Sequence, residues 1–243
     1  MIEIKNLSKK FKNVIAVNNI SFNVSDGEVV GLLGENGAGK TTTLRLLATM
    51  LKPTGGTAVI DGFDIIKEPD KVRGQIGILF GGEIGLYDRL TARENINYFA
   101  KLNNMDEDEA EKSINYLTDV LEMKDFIDRR VGKFSRGMKQ KVAIARSIVH
   151  KPTVMLFDEP TAGLDVTASR IVQDFILKCK SQNKAIIFSS HSMQEVEKLC
   201  DRIVIIHKGN IVEEGTIKHI KEKYESDNME DIFVKLVGDG NEK

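Results

Sequence analysis

The chain has 243 residues, 41% of them hydrophobic and 29% charged, with 35 basic side chains against 36 acidic ones and a formal net charge of −1. That composition excludes a disordered or collagen-like chain and suits one ordinary domain, or one domain carrying a small insertion. The near-neutral balance gives no reason to expect a nucleic acid as partner, because duplex binding usually leaves a basic excess.

In chain order, short β-branched runs predict strands at Ile2–Lys5, Ile20–Val24, Val29–Leu33, Thr57–Ile60, Ile76–Leu79, Val154–Phe157, Ala185–Phe188 and Ile203–Ile206. Helical patterns lie between them, the signature of an α/β domain. VVGLL, VMLF and AIIF are apolar on both faces, as central strands covered by helices on both sides would be. The outer pieces, with polar residues interleaved, read as half-exposed antiparallel strands. From Thr91 to Val149 three segments (TARENINYFAKL, DEDEAEKSINYLTDVL and RGMKQKVAIARSIV) are helical in period and no strand pattern interrupts them. Asp106 can cap the second of these helices, whose first turn is acidic and reads as solvated.

The expected division is therefore an α/β core with a β-subdomain over 1–90 and 150–216, a helical insertion over 91–149 and a charged tail over 217–243. The tail is expected to pack as a peripheral, largely solvated helix. Cys179 and Cys200 form no CxxC and read as reduced, idle thiols, which points to the cytosol. Charges at Glu3 and Lys5 interrupt any signal-peptide core, and no uncharged apolar run approaches the ~20 residues of a spanning helix. Any membrane role is expected to come through a partner.

Gly34-Glu35-Asn36-Gly37-Ala38-Gly39-Lys40-Thr41 matches GxxxxGK[ST], directly after the strand VVGLL and before the helical run TTTLRLLATML, which Thr42 continues. Glycines there let backbone N–H groups turn inward around phosphate oxygens, and the helix N-terminus adds its positive end. Lys40 would reach the β- and γ-phosphates, and the Thr41 hydroxyl would ligate magnesium. The chain is expected to bind a nucleotide.

A second apolar strand, VMLF, delivers Asp158 at its C-terminal end, where ligands gather in open parallel sheets. Asp158 would hold magnesium, and Glu159 beside it is the expected general base for an attacking water. The strand AIIFSS ends at His191, which is expected to contact the γ-phosphate.

With those residues in place, the chain resembles the ATP-binding subunits of ABC transporters. Phe134-Ser135-Arg136-Gly137-Met138 and the helical run after it are similar to the family signature LSGGQ, and they fall just before the acidic strand as the family requires. Thr161-Ala162-Gly163-Leu164-Asp165 resembles the D-loop, and Phe11 sits where the family places an aromatic that stacks on adenine. The resemblance implies a P-loop (RecA-like) mixed-sheet core with an N-terminal antiparallel β-subdomain and an inserted all-helical subdomain. It also implies two such subunits, as homodimer or heterodimer, facing head to tail. Each ATP would then lie between one phosphate loop and the other subunit's Ser135 and Gly137, with Asp165 of the D-loop also among the nucleotide-binding residues. A membrane-spanning permease would hold the pair at the inner face of the cell membrane.

Two departures stand out. The first glycine of the signature is Arg136 and its glutamine is Met138; Arg136 could face phosphate or point to solvent. The family's Q-loop glutamine is missing, Gly82 stands in its slot, and Glu83 next to it is the candidate replacement. LYDRLTARENI, FSRGMKQKVAIARSIVH and LFDEPTAGLD together look most like the NatA-type ATPases, export subunits associated with sodium efflux. GLYDRLTARENI, with Tyr87 and Leu90, is the expected docking surface for the permease. Soluble ABC ATPases of translation or repair fit less well, since they carry two nucleotide domains or a long coiled-coil insertion. A nucleotide-dependent interaction module without turnover is disfavoured by Glu159 in the base position, and a kinase or small GTPase leaves the signature segment unexplained.

Overall fold

Runs that are apolar on both faces can satisfy their backbone only inside a sheet and their side chains only between two layers. The computed structural model, which describes residues 1–80 and 85–238, obeys this. Every residue of β3 (Val29–Leu33), β7 (Val154–Asp158) and β8 (Ala185–Ser189) is buried. These strands lie in a six-stranded sheet with β6 (Ile76–Phe80), β9 (Arg202–His207) and β10 (Asn210–Thr216), in the order β10-β9-β3-β8-β7-β6. All neighbours are parallel except β10, which runs antiparallel to β9.

Alternation along these strands builds two cores. Leu33, Met155, Phe157, Ile186 and Phe188 face one cluster, and Val30, Leu32, Leu156, Ile187 and Val204 face the other. Fully burying a side chain such as Phe157 or Phe188 contributes about 1.5–3 kcal/mol.

The second sheet is antiparallel, in the order β2-β1-β4-β5, from β1 (Ile2–Phe11), β2 (Val14–Val24), β4 (Gly55–Ile60) and β5 (Phe63–Asp64). Its buried side shares the second core with the helix after β3, α1 (Lys40–Leu47). This is the α/β architecture the sequence led us to expect. β1 and β2 run longer than their apolar pattern, because a paired hairpin carries Lys9, Lys10 and Asn19 through irregular register positions. β5 and β10 gave no pattern, one being two residues long and the other a partly exposed edge with adjacent glutamates.

Between β6 and β7 lie α3 (Ala92–Leu102), α4 (Glu107–Val120) and α5 (Arg136–Ile148). Thr91 and Glu94 form a capping box on α3, and the Asp106 carboxylate accepts from Glu109 N–H at the start of α4. The turn before α3 is fixed by buried Asn95, which accepts from Tyr87 N–H (2.9 Å) and donates to Thr91 O (2.8 Å).

The remaining helices are α2 (Pro69–Gln75), α6 (Val166–Ser181), α7 (Met193–Leu199), α8 (Ile217–Lys223) and α9 (Met229–Gly238). The tail corrects the sequence reading. It forms two helices rather than one solvated one, and Ile220, Met229, Ile232 and Val237 join the core on the helical face of the sheet. Ile220 on α8 and the other three on α9 form apolar faces among charges, which a count of charges does not reveal. Among the described residues no helix is long and apolar enough to cross a membrane.

Candidate functional site

Three strand ends meet because β8 lies between β3 and β7. β3 leads into the phosphate loop, β7 into Asp158 and Glu159, and β8 into Ser189 and His191. Asp158 and Ser189 are register partners, so their side chains start side by side.

The loop is shaped by glycine where the chain demands it. Gly39 caps α1 at φ 116°, and a Cβ there would collide with the carbonyl of Ala16 on β2. Gly34 lies as tightly against Ile206 O. Ala38 N–H donates to Glu35 O (3.1 Å), while Ala38 O accepts from Gly209 N–H (2.9 Å), tying the loop to the β9–β10 turn. Glu35, Asn36 and Gly37 are exposed and Thr42 is half-buried.

Lys40 is 5% exposed, and its Nζ donates to Gly34 O (2.7 Å) and Glu35 O (3.1 Å). Burial lowers its pKa from the ordinary lysine value, and the carboxylates of Glu159 and Asp158 oppose that shift. The ammonium is thus held inside the loop, where phosphate oxygens could replace the two carbonyls.

Thr41 Oγ1 donates to Asp158 Oδ2 at 2.7 Å, so the two residues expected at magnesium touch directly. Asp158, 7% exposed, also accepts from Ser189 Oγ (2.6 Å). A hydroxyl and one carboxylate, with room left for phosphate oxygens and water, suit magnesium's hard-oxygen, partly hydrated coordination. Among the described residues no group of three or more His, Cys, Asp or Glu could hold a metal ion without such help.

Glu159 sits in the left-handed backbone region (φ 47°), and its N–H donates to both Ser189 O and Ser189 Oγ at 3.1 Å. Its Oε1 lies 3.6 Å from His191 Nδ1. Glu159 and His191 line a cavity of about 340 Å³ together with Glu35, Asn36, Met193 and Phe233. Phe233 belongs to α9, so the tail reaches the mouth of the site, a placement the sequence did not suggest.

Among the described residues the signature segment forms no hydrogen bond to the phosphate loop of its own chain. Ser135 caps α5, accepting from Met138 N–H (3.2 Å), and both Ser135 and Arg136 are exposed. Gly137 packs towards Ala168, and Asp165 caps α6 by accepting from Ala168 N–H (2.8 Å). Arg136, whose direction the sequence left open, donates from Nη2 to Ala162 O at 2.7 Å. Phe11 is 42% exposed, with Lys9 Nζ 5.0 Å from its ring centroid. It stands at the end of the β1–β2 pair whose Ala16 abuts Gly39. Gly82 and Glu83 lie outside the described residues.

Three residues escaped sequence reasoning. Ser189 holds Asp158 and Glu159 together. Glu195 accepts from Thr161 Oγ1 and Ser190 Oγ, both at 2.9 Å, and from Gln173 (3.1 Å). Buried Gln140 donates to Pro160 O (2.8 Å). Only the doubled serine after AIIF hinted at the first; nothing in local spacing marks the other two.

A cavity of about 850 Å³, larger than the one at Glu159, opens between β6 and the helices α3 and α5, lined by Met50, Phe80, Phe99, Leu102 and Arg146 among others. Tyr87, nearby in sequence, is exposed and stacks edge-on against Tyr98 with centroids 5.3 Å apart; Leu90 is half-buried.

Known proteins resemble the chain at the level of family and fold. Residues 17–162 match the family described as ABC transporter. The ABC transporter ATP-binding protein NatA of Bacillus subtilis is 48% identical over 242 residues, covering 98% of each chain. The bacitracin transport ATP-binding protein BcrA of Bacillus licheniformis is 36% identical, over 92% of this chain and 72% of the relative. A solved ATP-binding subunit of an ABC transporter superposes with a TM-score of 0.89 at 28% identity, covering 97% of this chain and 99% of that one. A dimeric ATP-binding cassette in a post-hydrolysis state, bound to ADP and Pi, gives 0.81 at 26% identity, covering 89% and 99%.

Proposed function

The chain belongs to the ABC transporter family, as an ATP-binding, ATP-hydrolysing subunit of the export-type systems, and on that premise we propose how its residues divide the work. The observation that carries the proposal is the convergence of Lys40, Thr41, Asp158, Glu159 and His191 at the ends of three adjacent strands. The phosphate loop, residues 34–42, wraps the ATP phosphates with its N–H groups. Lys40 exchanges its carbonyl partners for β- and γ-phosphate oxygens, and Phe11 stacks on adenine. Thr41 and Asp158 would hold magnesium, which when bound supplies positive charge against the phosphates.

Glu159 accepts the proton of the attacking water, and its left-handed backbone, pinned by Ser189, aims the carboxylate at the γ-phosphate. His191, 3.6 Å from Glu159, donates to a γ-phosphate oxygen. Lys40 and His191 stabilise the charge that spreads over the γ-phosphoryl oxygens during in-line attack.

The second half of each site comes from another ATPase subunit, set head to tail, identical or not. Ser135 and the Gly137 N–H bind the partner's γ-phosphate at the N-terminus of α5. Supporting this are the exposure of Ser135 at the start of α5 and that of Val166, 87% exposed next to Asp165. A membrane-spanning permease docks on the segment that opens the helical insertion, with exposed Tyr87 and half-buried Leu90 offering apolar contacts beside the groove between β6 and α3/α5, which keeps the chain at the inner face of the cell membrane. The half-apolar lining of that groove and the anchoring of its turn by Asn95 support the assignment. Sodium efflux is the transport we propose, from the NatA-type character of LYDRLTARENI and FSRGMKQKVAIARSIVH.

The test is magnesium-dependent ATPase rate against protein concentration, wild type beside Glu159→Gln. A rate per subunit that climbs with concentration and falls roughly 10²–10⁴-fold in the variant is the expected result. The variant should keep ATP binding and form an ATP-dependent dimer. Full turnover in Glu159→Gln would remove the base assignment, and a monomeric variant at saturating ATP and magnesium would remove the composite site.

A further inference from the structure

Arg136 and Gln140 stand one turn apart on α5, and both reach the loop that runs from Glu159 to Asp165. Gln140 Nε2 donates to Pro160 O at 2.8 Å, and Arg136 Nη2 donates to Ala162 O at 2.7 Å. Arg136 does more than touch the carbonyl. A Cβ built on Gly163 would lie 2.6 Å from its Cζ, so the guanidinium covers the Gly163 backbone, which sits at φ 68°. A planar, five-donor group can stack and donate at once, which a lysine ammonium cannot. The loop is held from its other side as well, by Thr161 Oγ1 on Glu195, which also takes Ser190 Oγ beside His191.

We propose that Arg136 is a positioning residue that clamps the Ala162–Gly163 turn to the start of α5, so that the segment following the base Glu159 takes its position from the signature helix of the same chain. The position where the family signature has its first glycine therefore carries a tether. In the head-to-tail arrangement, on which this inference rests, the start of α5 meets the partner's nucleotide while the loop leads back to this chain's own Glu159. The clamp joins the two nucleotide sites through about six residues of one chain. The competing role, a direct contact of Arg136 with the partner's phosphate, would leave the turn unchanged on substitution and would be met in part by any cation.

Two measurements decide it. The first needs no dimer: hydrogen–deuterium exchange on the isolated subunit at Ala162 and Leu164. Their amides donate to Glu159 O and Thr161 O at 3.1 Å and so report opening of the turn. Arg136→Ala should raise exchange there roughly tenfold, leave the phosphate loop unchanged, and Arg136→Lys should not restore protection. Unchanged exchange in Arg136→Ala overturns the clamp even if the dimer exists.

The second is a double-substitution cycle in ATPase activity. Gly163→Ala displaces the guanidinium, so Arg136→Ala and Gly163→Ala should each lower kcat about tenfold with KM for ATP little changed, and together cost little more than either alone. Additive losses, or a raised KM that Arg136→Lys repairs, overturn the clamp in favour of the phosphate contact. Failure of the head-to-tail reading shows separately, as Glu159→Gln remaining monomeric with ATP while the exchange result stands.

Discussion

Two helix N-termini in this chain are proposed to receive phosphate, and they differ in how finished they are. At α1 the loop is cross-tied around a buried lysine: Lys40 lies on two carbonyls, Thr41 on Asp158, Asp158 on Ser189, and Gly39 against Ala16. At the start of α5, Ser135 and Arg136 are exposed, and the ties run to the 159–165 loop rather than to any phosphate-handling group. A charged ligand site gains most when its donors are preorganised before the ligand arrives, which the first terminus achieves within one chain. The second is ordered but open, as the proposed half-site requires.

Substitutions at the two termini should therefore fail differently. Lys40→Ala should cost a single subunit both nucleotide affinity and turnover, the latter by roughly 10²–10³-fold. Ser135→Arg should stop turnover to a similar degree while ATP affinity of the isolated subunit, measured by titration calorimetry, stays at the wild-type value. Weakened binding to the lone subunit in Ser135→Arg would erase the distinction between the termini.

Preorganisation of the first terminus has its own test. Gly39→Ala puts a Cβ into the Ala16 carbonyl at φ 116° and should lower unfolding stability by about 2–4 kcal/mol, read from the urea midpoint. The same substitution at Gly37, where nothing lies within 4 Å, meets only its own φ of 84° and should cost about 1–2 kcal/mol. Equal losses at the two positions would mean the loop is not held against β2.

The smallest expected effect contrasts the two ends of α6. Val166 at its start is open, whereas Cys179 near its end is buried, and burial pushes that thiol up to about 12. A raised thiol pKa favours the protonated folded state. Its contribution is complete below the ordinary thiol range and lost as pH rises from there towards 12, because the unfolded chain ionises first. At pH 8 iodoacetamide should label Cys179 far more slowly in the folded chain than in urea. Equal rates would place that end of the helix in the open as well.

Much of this was legible in the order of residues. The phosphate loop, the acidic pair at the end of β7 and the cap at Asp106 are local devices, in which a glycine's permitted φ or a short side chain's reach to a nearby N–H decides the outcome. The tail was misread because charges on one side of α8 and α9 concealed Ile220, Ile232 and Val237 on the other. β10 was missed because an edge strand needs only one neighbour and keeps its glutamates in water.

The sequence by itself pointed to a nucleotide, since backbone geometry and charge within eight consecutive residues suffice for a phosphate cradle, while ATP came only from the resemblance carried by the motifs together. Only the tertiary structure decided where Arg136 points, that Ser189 joins Asp158 to Glu159, and that Glu195 collects Thr161, Ser190 and Gln173. Those contacts span from 5 to 34 positions along the chain, and all but the Ser190 pair lie 22 or more apart. The Ser189 contacts exist because β8 lies beside β7 in the sheet, and the others because α5, α6 and α7 pack around the loop after β7, arrangements set by packing of the whole core and by no local run of residues.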